Sequence, residues 1–269
     1  MRTWVVLSLS LCAAAAADLR DSLTFFAPFD TSTDATVAAG DKRVHFADSY
    51  KQQSLAQPGL PANVVHATSG GHRGGALHFT SKNTRAVFYR AARNVAFDPR
   101  GWNGTVAFRL KLDPDKDLEP GFCDPIQLTG KAYNDSAIWV DFTKDDRPRH
   151  FRLGVFGQLT KWNPRNLPSD QFPAFERRLV VVEKPPFRAD RWTHVAIVFD
   201  ALGHGGKATL YLDGQPQGTS GAVAEAFEWD EAATAIRLGV NYVGWMDEVA
   251  VFNRPLSASE VARLAQGGW

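Results

Sequence analysis

The sequence is made of many short β-rich runs and contains only one segment with a helical pattern. Most runs alternate polar and apolar residues or are wholly apolar, and Gly, Pro, Asn and Asp separate them. The predicted strands are Leu23–Phe29, Ala76–Thr80, Arg85–Tyr89, Gly104–Leu112, Pro125–Leu128, Ala137–Thr143, His150–Phe156, Leu179–Val182, His194–Asp200, Ala208–Leu212, Ala235–Gly239 and Trp245–Phe252. Because helices do not alternate with strands, the pattern predicts an all-β protein, an antiparallel β-sandwich of two packed sheets.

The helical segment lies near the C-terminus, from Pro255 to Leu264. Ser257 followed three residues later by Glu260 is a capping box, which predicts the start of a short helix. Residues 31–75 and 157–178 lack a periodic pattern, so both are predicted to be long loops. We expect a single domain over residues 18–269.

Three motifs carry a family resemblance. They are Arg191-Trp192-Thr193-His194-Val195, Leu210-Tyr211-Leu212-Asp213-Gly214, and Asp247-Glu248-Val249-Ala250-Val251-Phe252-Asn253-Arg254-Pro255-Leu256-Ser257. Their order and spacing resemble the laminin-G-like branch of the concanavalin A-like lectin/glucanase superfamily. The resemblance implies a jelly roll closed by the last strand. This fold carries lectins, adhesion modules, glycoside hydrolases and polysaccharide lyases, so function must be argued from a site.

The first 17 residues have the pattern of a signal peptide. Met1-Arg2 is basic, Trp4 to Cys12 is apolar, and Ala15-Ala16-Ala17 offers small residues for cleavage. We predict cleavage after Ala17 and a secreted, periplasmic or cell-envelope protein, with a bacterial source favoured. Lipidation of Cys12 is the alternative. The apolar run is too short to span a bilayer, and no later segment of the sequence is apolar enough to do so.

The charge limits the classes of binding partner, and the cysteine content limits the disulfides that can form. The formal net charge is +1, and no basic stripe with interleaved aromatic residues is present, which argues against nucleic acid. After signal cleavage only Cys123 remains, so no intramolecular disulfide can form. The oligomeric state is left open.

The runs 137–143 and 150–156 are predicted to pair as a hairpin. Ile138, Val140 and Phe142 share one face of the first run and are expected in the core. The opposite face then carries Trp139, Asp141, His150 and Arg152. An aromatic ring stacks on sugar C–H groups, and charged planar groups bind hydroxyls or carboxylates, so this patch predicts a glycan-binding site.

Tyr133 and Trp162 are further candidates for ligand binding. The alternative is that a second sheet or the 157–178 loop covers the face. In that case, Asp141 and Arg152 form a structural ion pair and Trp139 is a packed core residue.

No catalytic residue is assigned from the sequence. No Glu-x-Asp-x-Glu run of a sandwich glycosidase is present. Phe151–Gln158 resembles the alginate-lyase jelly-roll motif, but Phe156 stands where that family has its catalytic tyrosine. Ile126-Gln127-Leu128 likewise lacks the histidine of that family's Gln-Ile-His. In a lyase, Arg152 would neutralise a uronate, with His150 or Tyr133 as base.

The leading hypothesis is an exported, non-catalytic glycan-binding protein. The first alternative is a divergent polysaccharide lyase or glycoside hydrolase. The second is a protein-contact or adhesion module. The family resemblance also implies one structural Ca²⁺, with Asp247, Asp30 and Gly75 as ligands.

Overall fold

The computed structural model describes residues 18–269, and the predicted signal peptide lies outside this range. The described residues form two antiparallel sheets packed face to face, which confirms the predicted fold class. The strands are β1 (Leu23–Ala27), β2 (Val37–Ala38), β3 (His45–Ala47), β4 (Gln57–Pro58), β5 (Val64–Ala67), β6 (Ala76–Phe79), β7 (Ala86–Arg90), β8 (Trp102–Lys111), β9 (Cys123–Thr129), β10 (Ala137–Phe142), β11 (Phe151–Phe156), β12 (Leu179–Val182), β13 (Thr193–Leu202), β14 (Lys207–Leu212), β15 (Gln215–Thr219), β16 (Ala235–Val240) and β17 (Gly244–Phe252).

Sheet A has the strand order β15-β14-β13-β8-β17-β1-β2, with β6 also paired to β17 and β5 to β6. Sheet B has the order β12-β11-β10-β9-β16-β7-β3-β4. Ile138, Val140 and Phe142 of β10 lie in the shared core, as their alternation predicts. Phe151, Leu153 and Val155 of β11 lie there too.

Helices are short among the described residues. They are α1 (Pro114–Asp117), α2 (Leu159–Trp162) and α3 (Ala258–Ala265), with 3₁₀ turns at Leu19–Ser22, Tyr50–Leu55, Ser169–Gln171 and Glu176–Arg178. Within residues 18–269, no helix has the length and apolar content needed to cross a bilayer.

The predicted capping box of α3 is present. The Ser257 hydroxyl accepts the Glu260 N–H, and the Glu260 carboxylate accepts the Ser257 N–H at 2.8 Å. Val261 and Leu264 of this helix pack with Ala107 and Ala250 on the outer face of sheet A. α3 therefore covers the part of the outer face of sheet A that is formed by Ala107 and Ala250.

The loop prediction for residues 31–75 was wrong in part. The segment contains β2, β3, β4 and β5, which have two to four residues each. Strands this short show no periodicity that a sequence pattern could reveal. β15 was also missed, because four of its five residues, Gln215-Pro216-Gln217-Gly218, are not ones that favour strands.

Two segments cover parts of the outer face of sheet B. The first is the loop between β11 and β12, whose Trp162 and Phe175 pack on Trp139 and Phe156. The second is the turn Tyr50–Leu55 with the following Ala56, which packs near β7 and β3. Polar residues of the central strands lie between these two covers.

Candidate functional site

Register places a row of side chains across the outer face of sheet B. Trp139 pairs with Gly154 on one side and Gln127 on the other, and Gln127 pairs with Arg237. Directly opposed residues share a face of a sheet, so these side chains all point away from the core. The indole of Trp139 lies against Gly154, where a Cβ atom would overlap the ring.

A second row begins with the pair predicted from the sequence. Asp141 of β10 lies opposite Arg152 of β11, and Arg152 Nε donates to Asp141 Oδ1 at 2.8 Å. The second guanidinium nitrogen donates to Asp141 Oδ2, so the pair is bidentate. Arg152 also lies 5.7 Å from the ring centroid of Trp139 and 5.0 Å from that of Phe122.

A bulge between Val140 and Phe142 brings a second carboxylate, Asp124 of β9, next to Asp141. Burial, and then repulsion from Asp141, raise the pKa of Asp124 to about 8. Gln127 Nε2 donates to Asp124 Oδ2, and Arg237 donates to Gln127 Oε1 at 3.3 Å. Burial also raises the pKa of Asp141, while Arg152 opposes that shift. Because Asp141 is paired with the Arg152 guanidinium and Asp124 accepts from the neutral Gln127 amide, Asp124 is the partner that holds the proton at neutral pH.

These residues surround a cavity of about 310 Å³, which we call the sheet B pocket. Its lining residues are Phe122, Asp124, Gln127, Tyr133, Trp139, Asp141, Arg152, Ser169, Phe175, Val240 and Asn241. The polar floor is almost inaccessible, whereas the rings of Phe122 and Tyr133 are 41% and 46% exposed. The pocket thus combines buried hydrogen-bonding groups with an aromatic rim.

The rim at Phe122 is held by a buried guanidinium. Arg149 donates to the carbonyls of Leu118, Glu119, Gly121 and Thr143 at 2.7 to 3.2 Å. These bonds tie the segment before β9 to the turn between β10 and β11. Arg149 therefore positions Phe122 over Arg152.

Four of the six predicted ligand-binding residues line this pocket: Tyr133, Trp139, Asp141 and Arg152. Trp139, predicted to face solvent, is only 2% exposed, because Phe156 and Phe175 pack around it and its Nε1 donates to Tyr133 O at 2.6 Å. It forms part of the lining of the pocket and leaves no open indole face for a sugar.

The other two predicted residues, Trp162 and His150, lie outside the lining. Trp162 belongs to the β11–β12 loop and is 6% exposed, and its Nε1 donates to Asn134 O at 2.9 Å. Half-buried His150 lies 3.7 Å from Asp146 in the turn after β10. The predicted open patch is thus covered: the β11–β12 loop packs over Trp139, and Asp141, only 4% exposed, lies at the floor of the pocket.

Sequence reasoning missed Phe122, Asp124, Gln127 and Arg149. The Phe and the Asp lie on either side of Cys123, at the start of a run that we predicted to begin only at Pro125. The only signal in the sequence was that Phe122 and Asp124, an aromatic residue and an acidic residue, lie close together at the start of a strand. We searched for carboxylates paired along one strand. Asp124 and Asp141 instead meet from two adjacent strands, which such a search does not find.

The predicted metal ligands lie close to one another at the end of sheet A. Asp247 is fully buried, and its carboxylate accepts the N–H of His72 at 2.7 Å and that of Glu248 at 2.8 Å. Burial is the main reason that the pKa of Asp247 is raised to about 7. Asp30 contributes to this shift, and Gly75 packs against the carbonyl of Asp30.

The donor set at this place is made of oxygens, which suits a hard cation. Within residues 18–269, however, no group of three or more His, Cys, Asp or Glu side chains has a metal-site arrangement. A cation bound by Asp30 and Asp247 would therefore need backbone oxygens such as that of Gly75.

A family model for the concanavalin A-like lectin/glucanases matches residues 126–262, about half of the chain. The chain belongs to the concanavalin A-like lectin/glucanase superfamily. The match includes β10, β11 and the closing strand β17, and its assignment agrees with the resemblance seen in the motifs. No curated protein matches the sequence.

Solved structures of low sequence identity share the fold of this superfamily member. Domain 4 of AbnA, an extracellular arabinanase from Geobacillus stearothermophilus in complex with arabinotriose, is 15% identical, with a TM-score of 0.56 over 91% of this chain and 98% of that one. The botulinum neurotoxin serotype D ligand-binding domain in complex with N-acetylneuraminic acid is 12% identical, with a TM-score of 0.56 over 92% of this chain. Trypanosoma rangeli sialidase is 13% identical, with a TM-score of 0.54 over 97% of this chain. The chain spans 51% of the neurotoxin domain and 35% of the sialidase.

Proposed function

We propose that this protein is an exported, non-catalytic glycan-binding protein and that the sheet B pocket is its binding site. The observation that carries the proposal is the pairing of exposed rings with buried polar groups in one cavity. Phe122 and Tyr133 offer faces for sugar C–H groups. Asp124, Gln127 and Asp141 offer hydrogen-bonding atoms for hydroxyls at the floor.

The charges in the pocket favour a neutral sugar. Two nitrogens of the Arg152 guanidinium donate to the Asp141 carboxylate, so the positive charge of Arg152 is already paired. Asp124 is held protonated beside that pair, and Arg237 lies beneath the ring of Tyr50 at 4.3 Å. Among the described residues that line the pocket, Arg152 is the one Lys or Arg side chain, so the lining offers an anionic sugar no cation that is not already paired, which also argues against the role of Arg152 in a lyase.

Two of the structural neighbours are complexes with sugars, which supports a carbohydrate ligand. The arabinanase domain holds arabinotriose, and the neurotoxin domain holds N-acetylneuraminic acid. Arabinotriose is neutral, and we therefore take arabino-oligosaccharides as the first probes, with 3′-sialyllactose as the anionic comparison.

Calorimetric titration against neutral and anionic oligosaccharides tests the proposal. The Phe122→Ala variant is expected to bind about tenfold more weakly, a loss of ~1.4 kcal/mol, because the ring at the rim is removed. Val65→Ala is the control, since Val65 is 44% exposed on β5 of sheet A. Absence of binding across the panel, or equal loss in both variants, would refute the assignment.

A second candidate function, glycoside cleavage, is favoured by one observation. Asp124 has a pKa of about 8 and lies beside Asp141, and an acid held protonated next to an ionised carboxylate can protonate a leaving group. Release of reducing ends from arabinan or laminarin, lost in Asp124→Asn, would establish this function. No release by the wild type would remove it while leaving glycan binding intact.

We propose export on the basis of the N-terminal pattern, and one contact agrees with it. Asp18, the expected mature N-terminus, caps the turn Leu19–Ser22, and Leu19 is fully buried. Expression in a bacterial host followed by intact-mass measurement of the periplasmic protein is expected to show a chain starting at Asp18. A chain that retains Met1 or carries lipid on Cys12 would contradict it.

We also propose one structural Ca²⁺ held by Asp30, Asp247 and the carbonyl of Gly75. The oxygen-rich donor set and the proximity of the two carboxylates support it. Calcium is expected to raise the Tm of the wild type relative to EDTA, and Asp247→Asn is expected to abolish that difference. Equal Tm values with calcium and with EDTA would refute the site.

A further inference from the structure

We propose that the sheet B pocket recognises the end of a glycan chain rather than an internal stretch of it. This inference rests on the proposed function and specifies its ligand. It follows from the four sides of the pocket, of which two are packed walls and two are bordered by exposed aromatic rings.

The outer face of sheet B would otherwise form a continuous surface across the strands. The row through Trp139, Gln127 and Arg237 continues to Phe88 of β7 and His45 of β3. A chain of sugars lying across the strands would follow this row and extend beyond the pocket on both sides.

The β11–β12 loop blocks the first direction. Its Trp162 and Phe175 form a cluster with Trp139 and Phe156, and Phe175 lines the pocket itself. The loop is anchored at its end, where Arg178 forms a bidentate pair with Glu225 at 2.8 and 3.0 Å. This side is therefore a packed wall.

The segment Tyr50–Leu55 blocks the opposite direction. The ring of Tyr50 covers the guanidinium of Arg237 at 4.3 Å, and its hydroxyl donates to Val87 O at 3.3 Å. Gln53 Nε2 donates to Ala233 O at 2.6 Å, which fixes the segment on the sheet. A ligand that passed over Arg237 would have to displace Tyr50.

Exposed rings stand at the two remaining sides, along the strand direction. Phe122 precedes β9 and Tyr133 lies in the turn that follows it, so the two rings mark opposite ends of this strand. The cavity volume of about 310 Å³ is at the lower end of the range for ligand pockets, ~300–1,000 Å³. A short terminal unit fits such a space, whereas an internal stretch needs two open exits.

The test compares binding capacity with the number of chain ends. Linear arabinan and laminarin are each immobilised intact and after partial acid hydrolysis, and bound protein is measured per gram of polysaccharide. For a polysaccharide that binds, we expect capacity to rise in proportion to the number of ends. Capacity that stays constant per gram would overturn the inference while leaving glycan binding in place. No binding to either form, or to the oligosaccharide panel, would instead refute the proposed function.

A variant tests the wall at Arg237. Tyr50→Ala removes the ring over Arg237 and is expected to raise the capacity for intact polysaccharide toward that for the hydrolysed form. Leu55→Ala is the matched control, because Leu55 belongs to the same segment and is 77% exposed. Circular dichroism establishes that both variants are folded. Unchanged capacity in folded Tyr50→Ala would overturn the role of this wall, and the wild-type comparison does not depend on the variant.

Discussion

Replacing the buried acid Asp124 with asparagine is expected to stabilise the protein, and to do so more strongly as the pH rises. In the folded protein, burial and Asp141 raise the pKa of Asp124 to about 8, whereas an unfolded aspartate has a pKa of about 3.9. Between these values the folded state binds one more proton than the unfolded state. Raising the pH therefore favours unfolding, and asparagine, which resembles the protonated acid, avoids this loss.

The magnitude follows from the size of the pKa interval. Each pH unit inside the interval costs about 1.4 kcal/mol of stability for one proton. Between about pH 5 and about pH 7, the free energy of unfolding of the wild type should fall by about 3 kcal/mol relative to that of Asp124→Asn. Gln127 Nε2 can still donate to the side-chain oxygen of the asparagine, so the hydrogen bond at this place is retained.

Urea unfolding at these two pH values measures the difference. Asp145→Asn is the control, because the side chain of Asp145 is 78% exposed in the turn after β10. The control is expected to follow the wild type at both values. A difference between Asp124→Asn and the wild type that is constant with pH, or larger at the lower pH, would refute the assignment of a buried proton to Asp124.

Three further substitutions test the packing around the pocket and the closing helix. Gly154→Ala is expected to displace the indole of Trp139, cost about 1–3 kcal/mol in urea unfolding, and shift tryptophan fluorescence; an unchanged spectrum would contradict the contact. Arg149→Met is expected to cost about 3 kcal/mol of stability in thermal unfolding, because four carbonyls lose their donor. It is also expected to weaken glycan binding, because Phe122 is no longer held in place. A variant as stable as the wild type would disprove the anchoring role of Arg149. Ser257→Ala is expected to cost about 1 kcal/mol in urea unfolding by removing the N-cap of α3, and a neutral effect would show that the cap does not contribute.

The sandwich could be predicted because alternation reports which residues face the core. Ile138, Val140 and Phe142 occupy the interior as their spacing requires, and the capping box places the start of α3. The short strands β2 to β5 could not be predicted, since two to four residues carry no period and pair through distant partners.

The site could be predicted only in part. Asp141 and Arg152 were found because they lie opposite one another in a hairpin, where local spacing determines register. Asp124 reaches Asp141 through a bulge between strands, and the depth at which Trp139 is buried depends on how the β11–β12 loop packs. Neither a bulge nor a loop contact leaves a periodic signal in the sequence. Alternation therefore predicted an open patch where the structure has a pocket.

The most direct test of glycan recognition in the sheet B pocket is NMR of ¹⁵N-labelled protein titrated with arabinotriose, or with the tightest-binding oligosaccharide of the panel. Binding in the pocket predicts shifts of the Trp139 indole, the Arg152 Nε–H and the Gln127 side-chain amide, with α3 on the far sheet unaffected. Shifts confined to other surfaces, or a spectrum unchanged by every oligosaccharide, would contradict the assignment of this pocket.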